Sequence, residues 1–212
     1  GSGSLRDLPW RRTNDPWRVL VSEVMLQQTS VARVMPKYEA FLEAFPTPAA
    51  LAQAPLGEAL RLWSGLGYPR RCRNLQATAV VLHEQFDGRM PASLEELLAL
   101  PGIGQYTARA VLAFAHRIDV AVVDVNVSRV LSRLEGVSMK ARALQEFADE
   151  LIPEGLAWEW NQVMMDFGAR HCTVRAPKCD TCPARRECRY KGVGEDPAQL
   201  SAGVSKPQAR FE

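Results

Sequence analysis

The chain has 212 residues, 47% hydrophobic and 24% charged, with a formal net charge of +2. That is enough for one large or two small domains with a real core, while a balance so close to neutral says little by itself about partners. No apolar run approaches the ~20 residues of a membrane-spanning helix, so no membrane span is expected, and no charged-then-apolar leader is seen, so a cytoplasmic or nucleoid-associated protein is expected.

In chain order, Gly1-Ser2-Gly3-Ser4 reads as a tag remnant (residues 1–4) and is set aside. Residues 17–28, 94–100, 106–116 and 144–151 carry apolar side chains at three- and four-residue spacing, the helical period. Turn signals separate such stretches: Phe45-Pro46-Thr47-Pro48, Asp87-Gly88, Leu100-Pro101-Gly102 and Ile152-Pro153-Glu154-Gly155. The one β-like stretch, Val120 to Val123, is too short to build a sheet. The expected fold class is all-α, with roughly ten short helices. From Gly192 onward, Gly, Pro, Ser and Gln predict a loose tail over residues 192–212.

Charge is unevenly placed. Arg61, Arg70, Arg71 and Arg73 lie in a stretch without acids, and Arg170, Arg175, Lys178, Arg185, Arg186, Arg189 and Lys191 face only Asp180 and Glu187 over 170–191. Either group alone reads as solvated arginines; two on a near-neutral chain fit a one-sided polyanion-binding face.

Four of the five cysteines form Cys172-x6-Cys179-x2-Cys182-x5-Cys188, while Cys72 stands apart as an inert packing or surface thiol. Clustered cysteines in a cytoplasmic chain favour a metal site over disulfides. Four-cysteine zinc is the generic reading, but it is usually built from two Cys-x2-Cys pairs and only one is present. The common ferredoxin spacings do not fit either.

Leu100-Pro101-Gly102-Ile103-Gly104-Gln105-Tyr106-Thr107-Ala108 joins two helical patterns through a glycine-bearing turn. Such a turn and the helix start after it suit a phosphate; an ordinary helix–turn–helix corner has the same look. Further on, Val123-Asp124-Val125-Asn126-Val127 precedes Arg129-Val130. By itself Asp124 reads as a helix N-cap.

Taken together, the x6, x2, x5 cysteine loop, the Leu-Pro-Gly-Ile-Gly turn and the Val-Asp-Val-Asn string resemble the helix-hairpin-helix glycosylases related to endonuclease III. Leu8-Pro9-Trp10-Arg11-Arg12, the octet Ser22-Glu23-Val24-Met25-Leu26-Gln27-Gln28-Thr29, Gly65-Leu66-Gly67-Tyr68, Arg73-Asn74-Leu75 and Asn161-Gln162-x3-Asp166-x-Gly168-Ala169 resemble the MutY adenine glycosylases in the same order over residues 5–190. Pro69 departs from that pattern, where a second tyrosine is usual. The MutY family commonly continues into a C-terminal domain resembling the nucleotide hydrolase MutT, whereas this chain ends at Glu212.

The resemblance implies a helix-hairpin-helix glycosylase fold of two helical lobes with a cleft between them and a C-terminal iron–sulfur loop. A barrel lobe over 23–128 would carry the hairpin (about 94–117), and 5–22 with 129–191 would form the cluster lobe. It implies a [4Fe–4S] cluster on Cys172, Cys179, Cys182 and Cys188. Glu23 and Asp124 become the catalytic carboxylates, with Glu23 protonating adenine at N7 and Asp124 stabilising the sugar cation, while Tyr106 and Asn126 orient Asp124 and the water. Glu23 sits in an apolar segment, a setting that keeps a proton available, and a carboxylate at a helix start suits a nearby positive charge. Trp10, Arg11, Leu26 and Gln162 would line the base pocket, although tryptophan in a small domain is more often core than pocket.

Gln28 and Tyr68 would insert into the duplex, Tyr68 being equally readable as a helix-end core residue. Gly102, Gly104, Gln105, Arg175 and Lys178 would hold phosphates. Tyr106 replaces the lysine nucleophile of the endonuclease III type, which implies base release by water without strand cleavage. The expected activity is removal of adenine opposite 8-oxoguanine or guanine in double-stranded DNA by a nucleoid-associated monomer. The rivals are a thymine or uracil mismatch glycosylase, which usually has two arginines where Gln27 and Gln28 stand, and a non-catalytic, redox-sensing DNA-binding module.

Overall fold

Proline and short polar side chains decide where the helices begin. The computed structural model describes residues 5–200, and among these it holds eleven α-helices, two 3-10 turns and no strand. The all-α expectation is therefore met. The chain forms two units: one spans Asp7–Val120, and the other joins the start of the chain up to Arg6 with the stretch from Ala121 onward.

The first unit contains α1 (Pro16–Leu26), α2 (Val31–Ala44), α3 (Pro48–Gln53), α4 (Leu56–Trp63), α5 (Pro69–Gln85), α6 (Leu94–Ala99) and α7 (Gln105–Phe114). Asp15 caps α1 by accepting from the Trp17 and Arg18 amides, and Thr47 and Ser93 cap α3 and α6 in the same way. Pro16, Pro48 and Pro69 stand in the first helical turn, where a missing N–H costs nothing. Helix α1 is almost wholly buried from Val19 to Met25 and packs on α7, α2 and α5. Phe41 meets both Phe45 and Trp63 edge to face. Cys72 is fully buried, and burial pushes its thiol up to about 11, as an inert packing residue requires.

The second unit contains α8 (Val125–Glu135), α9 (Ala141–Glu150), α10 (Ala157–Arg170) and α11 (Pro197–Leu200). Arg6 ties the start of the chain to α10, its amide and Nε donating to the Asp166 carboxylate at 2.8 and 2.7 Å. The β-like stretch before α8 finds side chains instead of a strand. Ala121 N–H donates to Asp149 (2.8 Å), Ala121 C=O accepts from Gln145 (3.0 Å), and Val122 N–H donates to buried Asn161 (2.7 Å).

The loose tail expected from Gly192 is corrected over its described part. Gly192 has φ +82°, and a Cβ there would come within 2.9 Å of Cys179 Sγ. Asp196 is paired with Arg133, and α11 packs on α8. The rest of that stretch, residues 201–212, and residues 1–4, expected to be a tag remnant, lie outside the described residues.

Candidate active site

In the second unit, Asp124 is the N-cap of α8. Its Oδ1 accepts from the amides of Asn126 (2.8 Å) and Val127 (2.7 Å), and its Oδ2 accepts from Asn126 Nδ2 (2.8 Å). Three donors thus fix a half-buried carboxylate at the positive end of a helix. The cap reading and a chemical role coexist here, because the cap is what fixes the carboxylate.

Asn126 is held in turn. Its Oδ1 accepts from Arg129 Nη2 at 2.8 Å, and Arg129 also donates to the Gly168 carbonyl (2.7 Å) and, through Nε, to the Cys172 carbonyl (2.7 Å). A hydrogen-bonded path therefore runs from Asp124 through Asn126 and Arg129 to the first cysteine. Gly168 permits it: a Cβ there would lie 2.7 Å from Asn126 Cβ and 3.0 Å from its carbonyl oxygen. Arg129, Arg133 and Asn161 have roles that reading the sequence did not assign. The available signal was the i, i+4 pair of arginines inside the apolar pattern Val127–Leu134.

All four clustered cysteines line one pocket with about 370 Å³ of open volume, shared with Val130, Phe167 and Tyr190. Arg133 Nη1 donates to Cys172 Sγ at 3.4 Å, and Cys188 Sγ donates to the Arg133 carbonyl at 3.3 Å. Burial, together with the nearby Cys172, Cys182 and Cys188, pushes the Cys179 thiol above its ordinary range. No group of three potential ligands among the described residues is arranged for a single metal ion. Four thiols lining one pocket offer a soft donor set. Arg175 and Lys178 are exposed on this loop, whereas Arg185 is turned to Asp180 (3.3 Å) and Arg189 to Glu135 (3.7 Å).

In the first unit, Glu23 is 6% exposed on the buried run of α1, and Leu26 is half-buried at that helix's end. Trp10 is buried, with its ring edge-to-face on Tyr38 at 5.4 Å, and Arg11 beside it is half-buried. Gln162, in the other unit, is buried on α10.

The hairpin turn divides the labour of its glycines. Gly102 has φ +75°, and a Cβ would strike the Asn74 side chain at 2.4–2.8 Å, so only glycine fits. Gly104 is extended with open space around it, and it leaves the start of α7 without a side-chain cap. Gln105 is exposed and Tyr106 half-buried on that first turn, whose N–H groups have no intrahelical acceptor.

Gln28 and Tyr68 are both exposed, Tyr68 to 60%, and both have left-handed backbone at φ +54° and +48°. Arg71 corrects part of the basic-patch reading. Arg61, Arg70 and Arg73 are exposed, but the Arg71 guanidinium is turned inward and donates to Val24, Met25, Gln27, Leu66 and Gly67 carbonyls and to the Thr29 hydroxyl. No helix among the described residues is long and apolar enough to cross a membrane.

Residues 21–154 match the model of the HhH-GPD superfamily base excision DNA repair proteins. An adenine DNA glycosylase of Mycolicibacterium smegmatis is 45% identical over 194 residues, covering 89% of this chain and 66% of that protein. The chain thus spans just under two thirds of that relative's length. The structure of a thermostable thymine-DNA glycosylase superposes with a TM-score of 0.85 at 33% identity, covering 88% of this chain and 89% of the other. An endonuclease III bound non-covalently to DNA gives 0.79 at 26% identity, covering 90% and 89%.

Proposed function

This chain belongs to the HhH-GPD superfamily of base excision DNA repair proteins, and from that premise we propose that it is a monofunctional adenine DNA glycosylase. Its substrate is adenine mispaired with 8-oxoguanine or guanine in double-stranded DNA. Water replaces the base at the sugar, leaving an abasic site. The observation that carries this reading is the Asp124 carboxylate, fixed by three donors on one side of a helix start in a chain 45% identical to an adenine DNA glycosylase.

The chemistry divides between two carboxylates in unlike surroundings. Adenine leaves poorly until protonated. Buried Glu23 delivers a proton to N7 and later helps activate water. As the bond to the sugar breaks, positive charge grows on the ring, and the prefixed Asp124 stabilises it without having to reorient. Asn126 holds Asp124, and Tyr106 has an orienting role. A phenol at position 106 forms no Schiff base, so base loss is not coupled to strand cleavage.

DNA is gripped through phosphates by the Gly102–Gln105 turn and by Arg175 and Lys178. Gln28 and Tyr68 enter the duplex while the target base leaves the stack, and Trp10, Arg11, Leu26 and Gln162 receive it. The loop residues fit a [4Fe–4S] cluster on Cys172, Cys179, Cys182 and Cys188, which when bound would pin the loop that carries Arg175 and Lys178. The protein acts as a monomer in the cytoplasm, associated with the nucleoid.

A second reading, thymine removal opposite guanine, is favoured by the likeness to the thymine-DNA glycosylase structure. Chromatographic identification of the freed base separates the two: adenine from A·G and A·8-oxoguanine duplexes supports the proposal, and thymine from T·G duplexes supports the rival. Metal analysis of protein purified without oxygen should give roughly four irons per chain, and stoichiometric zinc without iron would overturn the cofactor assignment.

A further inference from the structure

Two exposed side chains in the first unit stand on backbone that non-glycine residues seldom adopt. Gln28 follows α1 with φ +54°, and Tyr68 precedes α5 with φ +48° and ψ +65°. Such conformations persist only where the surroundings over-determine them. Near both, the determinant is the same side chain.

Arg71 Nη1 donates to Val24, Met25 and Gln27 carbonyls at 2.8, 3.0 and 2.5 Å, which fixes the end of α1 just ahead of Gln28. Its Nη2 donates to Leu66 and Gly67 carbonyls at 3.0 and 3.1 Å, which fixes the turn just ahead of Tyr68. Between the two sets, Nη2 also donates to Thr29 Oγ1 at 3.0 Å, and that hydroxyl donates to the Leu66 carbonyl at 3.1 Å. The guanidinium lies 5.4 Å from the Tyr68 ring centre and 5.6 Å from that of Trp63, whose Nε1 donates to the Gly67 carbonyl at 3.1 Å.

We infer that Arg71 is the positioning residue of a two-pronged insertion element, tying the Gln28 turn to the Tyr68 turn so that both prongs are preformed before DNA arrives. This rests on the reading that Gln28 and Tyr68 enter the duplex. It separates Arg71 from its neighbours Arg70 and Arg73. They are exposed cations suited to phosphate, whereas the Nη donors of Arg71 are spent on its own fold. A planar fork with donors on both Nη groups is what bridging two turns demands, and an ammonium group does not replace it. A preformed element binds without the cost of ordering it, and that gain appears only where the element is used, at the mispair.

The test is a double-mutant cycle between Arg71→Lys and Tyr68→Ala, read as the ratio of affinities for mispaired and matched duplex. Thermal unfolding is measured on the same samples. Arg71→Lys should lower the ratio by about tenfold, leaving matched-duplex affinity and its salt slope unchanged, and in the Tyr68→Ala background it should lower the ratio by less than about twofold. Thr29→Val, which loses one bridge and keeps the arginine, should shift the ratio in the same direction by less, and it carries the test if Arg71→Lys does not fold.

An equal loss on both duplexes, with the salt slope reduced by about one, would make Arg71 a phosphate contact and overturn the inference. A loss of full size in the Tyr68→Ala background would overturn it too. So would an unchanged ratio in both Arg71→Lys and Thr29→Val while Tyr68→Ala lowers it, and that result leaves the insertion reading intact. An unchanged ratio in Tyr68→Ala would overturn the insertion reading itself, and the inference with it.

Discussion

Arg133 and Asp196 form a two-pronged ion pair across 63 positions of sequence, Nε to Oδ1 at 3.0 Å and Nη2 to Oδ2 at 2.6 Å, with side chains only 2% and 7% exposed. The same guanidinium reaches the Thr173 carbonyl and Cys172 Sγ, so the segment after the last cysteine is locked to the loop that begins at the first. The Arg133 hydrogen bond holds the Asp196 carboxyl below the usual carboxylate range, against a smaller opposing effect of burial. A depressed folded-state pKa stabilises the protein at every pH above about 4, the unfolded value, and that contribution is lost as pH falls through the folded one. Asp196→Asn should therefore cost about 3 kcal/mol at neutral pH and remove this part of the acid loss. Urea titrations at several pH values check it; equal stability of the two proteins at pH 7 would contradict it.

Asp124→Asn should keep the cap, since asparagine accepts from the same amides, and stability should change by less than about 1 kcal/mol. Base release should fall by roughly a hundredfold or more, because the lost charge matters only as the sugar becomes cationic. Glu23→Gln should lose release as well, through the proton donor. Single-turnover rates on a saturating mispaired duplex measure both. A near-normal rate in either variant would remove that residue from the mechanism.

Arg175 and Lys178 should supply affinity rather than chemistry. Replacing both with alanine should weaken binding to matched and mispaired duplexes alike and flatten the log–log salt dependence by about one to two units. Loss confined to the mispair, with the salt slope unchanged, would exclude phosphate contact.

Local pattern reaches some of this molecule and not the rest. The helical period marks α1, α6, α7 and α9 because each buries one face or more. The N-cap role of Asp124 is equally readable, since a cap is a contact between near neighbours. Arg71 is different: in sequence it is one of four arginines in an acid-free stretch, and only the fold reveals that its donors turn inward. Asp196 lies in a stretch whose Gly and Pro content reads as loose, and its ordering comes from a partner 63 positions away. The Val120–Val123 stretch has strand composition, yet distant Gln145, Asp149 and Asn161 supply hydrogen bonds to its backbone. Long-range pairings of single polar side chains leave no periodic trace.

The proposed absence of strand cleavage rests on Tyr106. Borohydride should trap little covalent enzyme–DNA adduct with the unaltered protein. Tyr106→Lys should raise trapping while slowing base release, since a cation there opposes charge developing on the sugar. Efficient trapping by the unaltered protein, at the rate of base loss, would identify another lysine as nucleophile.

The most direct measurement follows base release and strand integrity together, under single-turnover conditions, on duplexes containing A·8-oxoguanine, A·G, A·C, T·G and U·G, each with and without alkali. Adenine removal from A·8-oxoguanine or A·G, with strand breaks appearing only after alkali and T·G and U·G left intact, is the predicted result. Preferential processing of T·G or U·G, or breaks without alkali at the rate of base loss, would contradict a monofunctional adenine glycosylase.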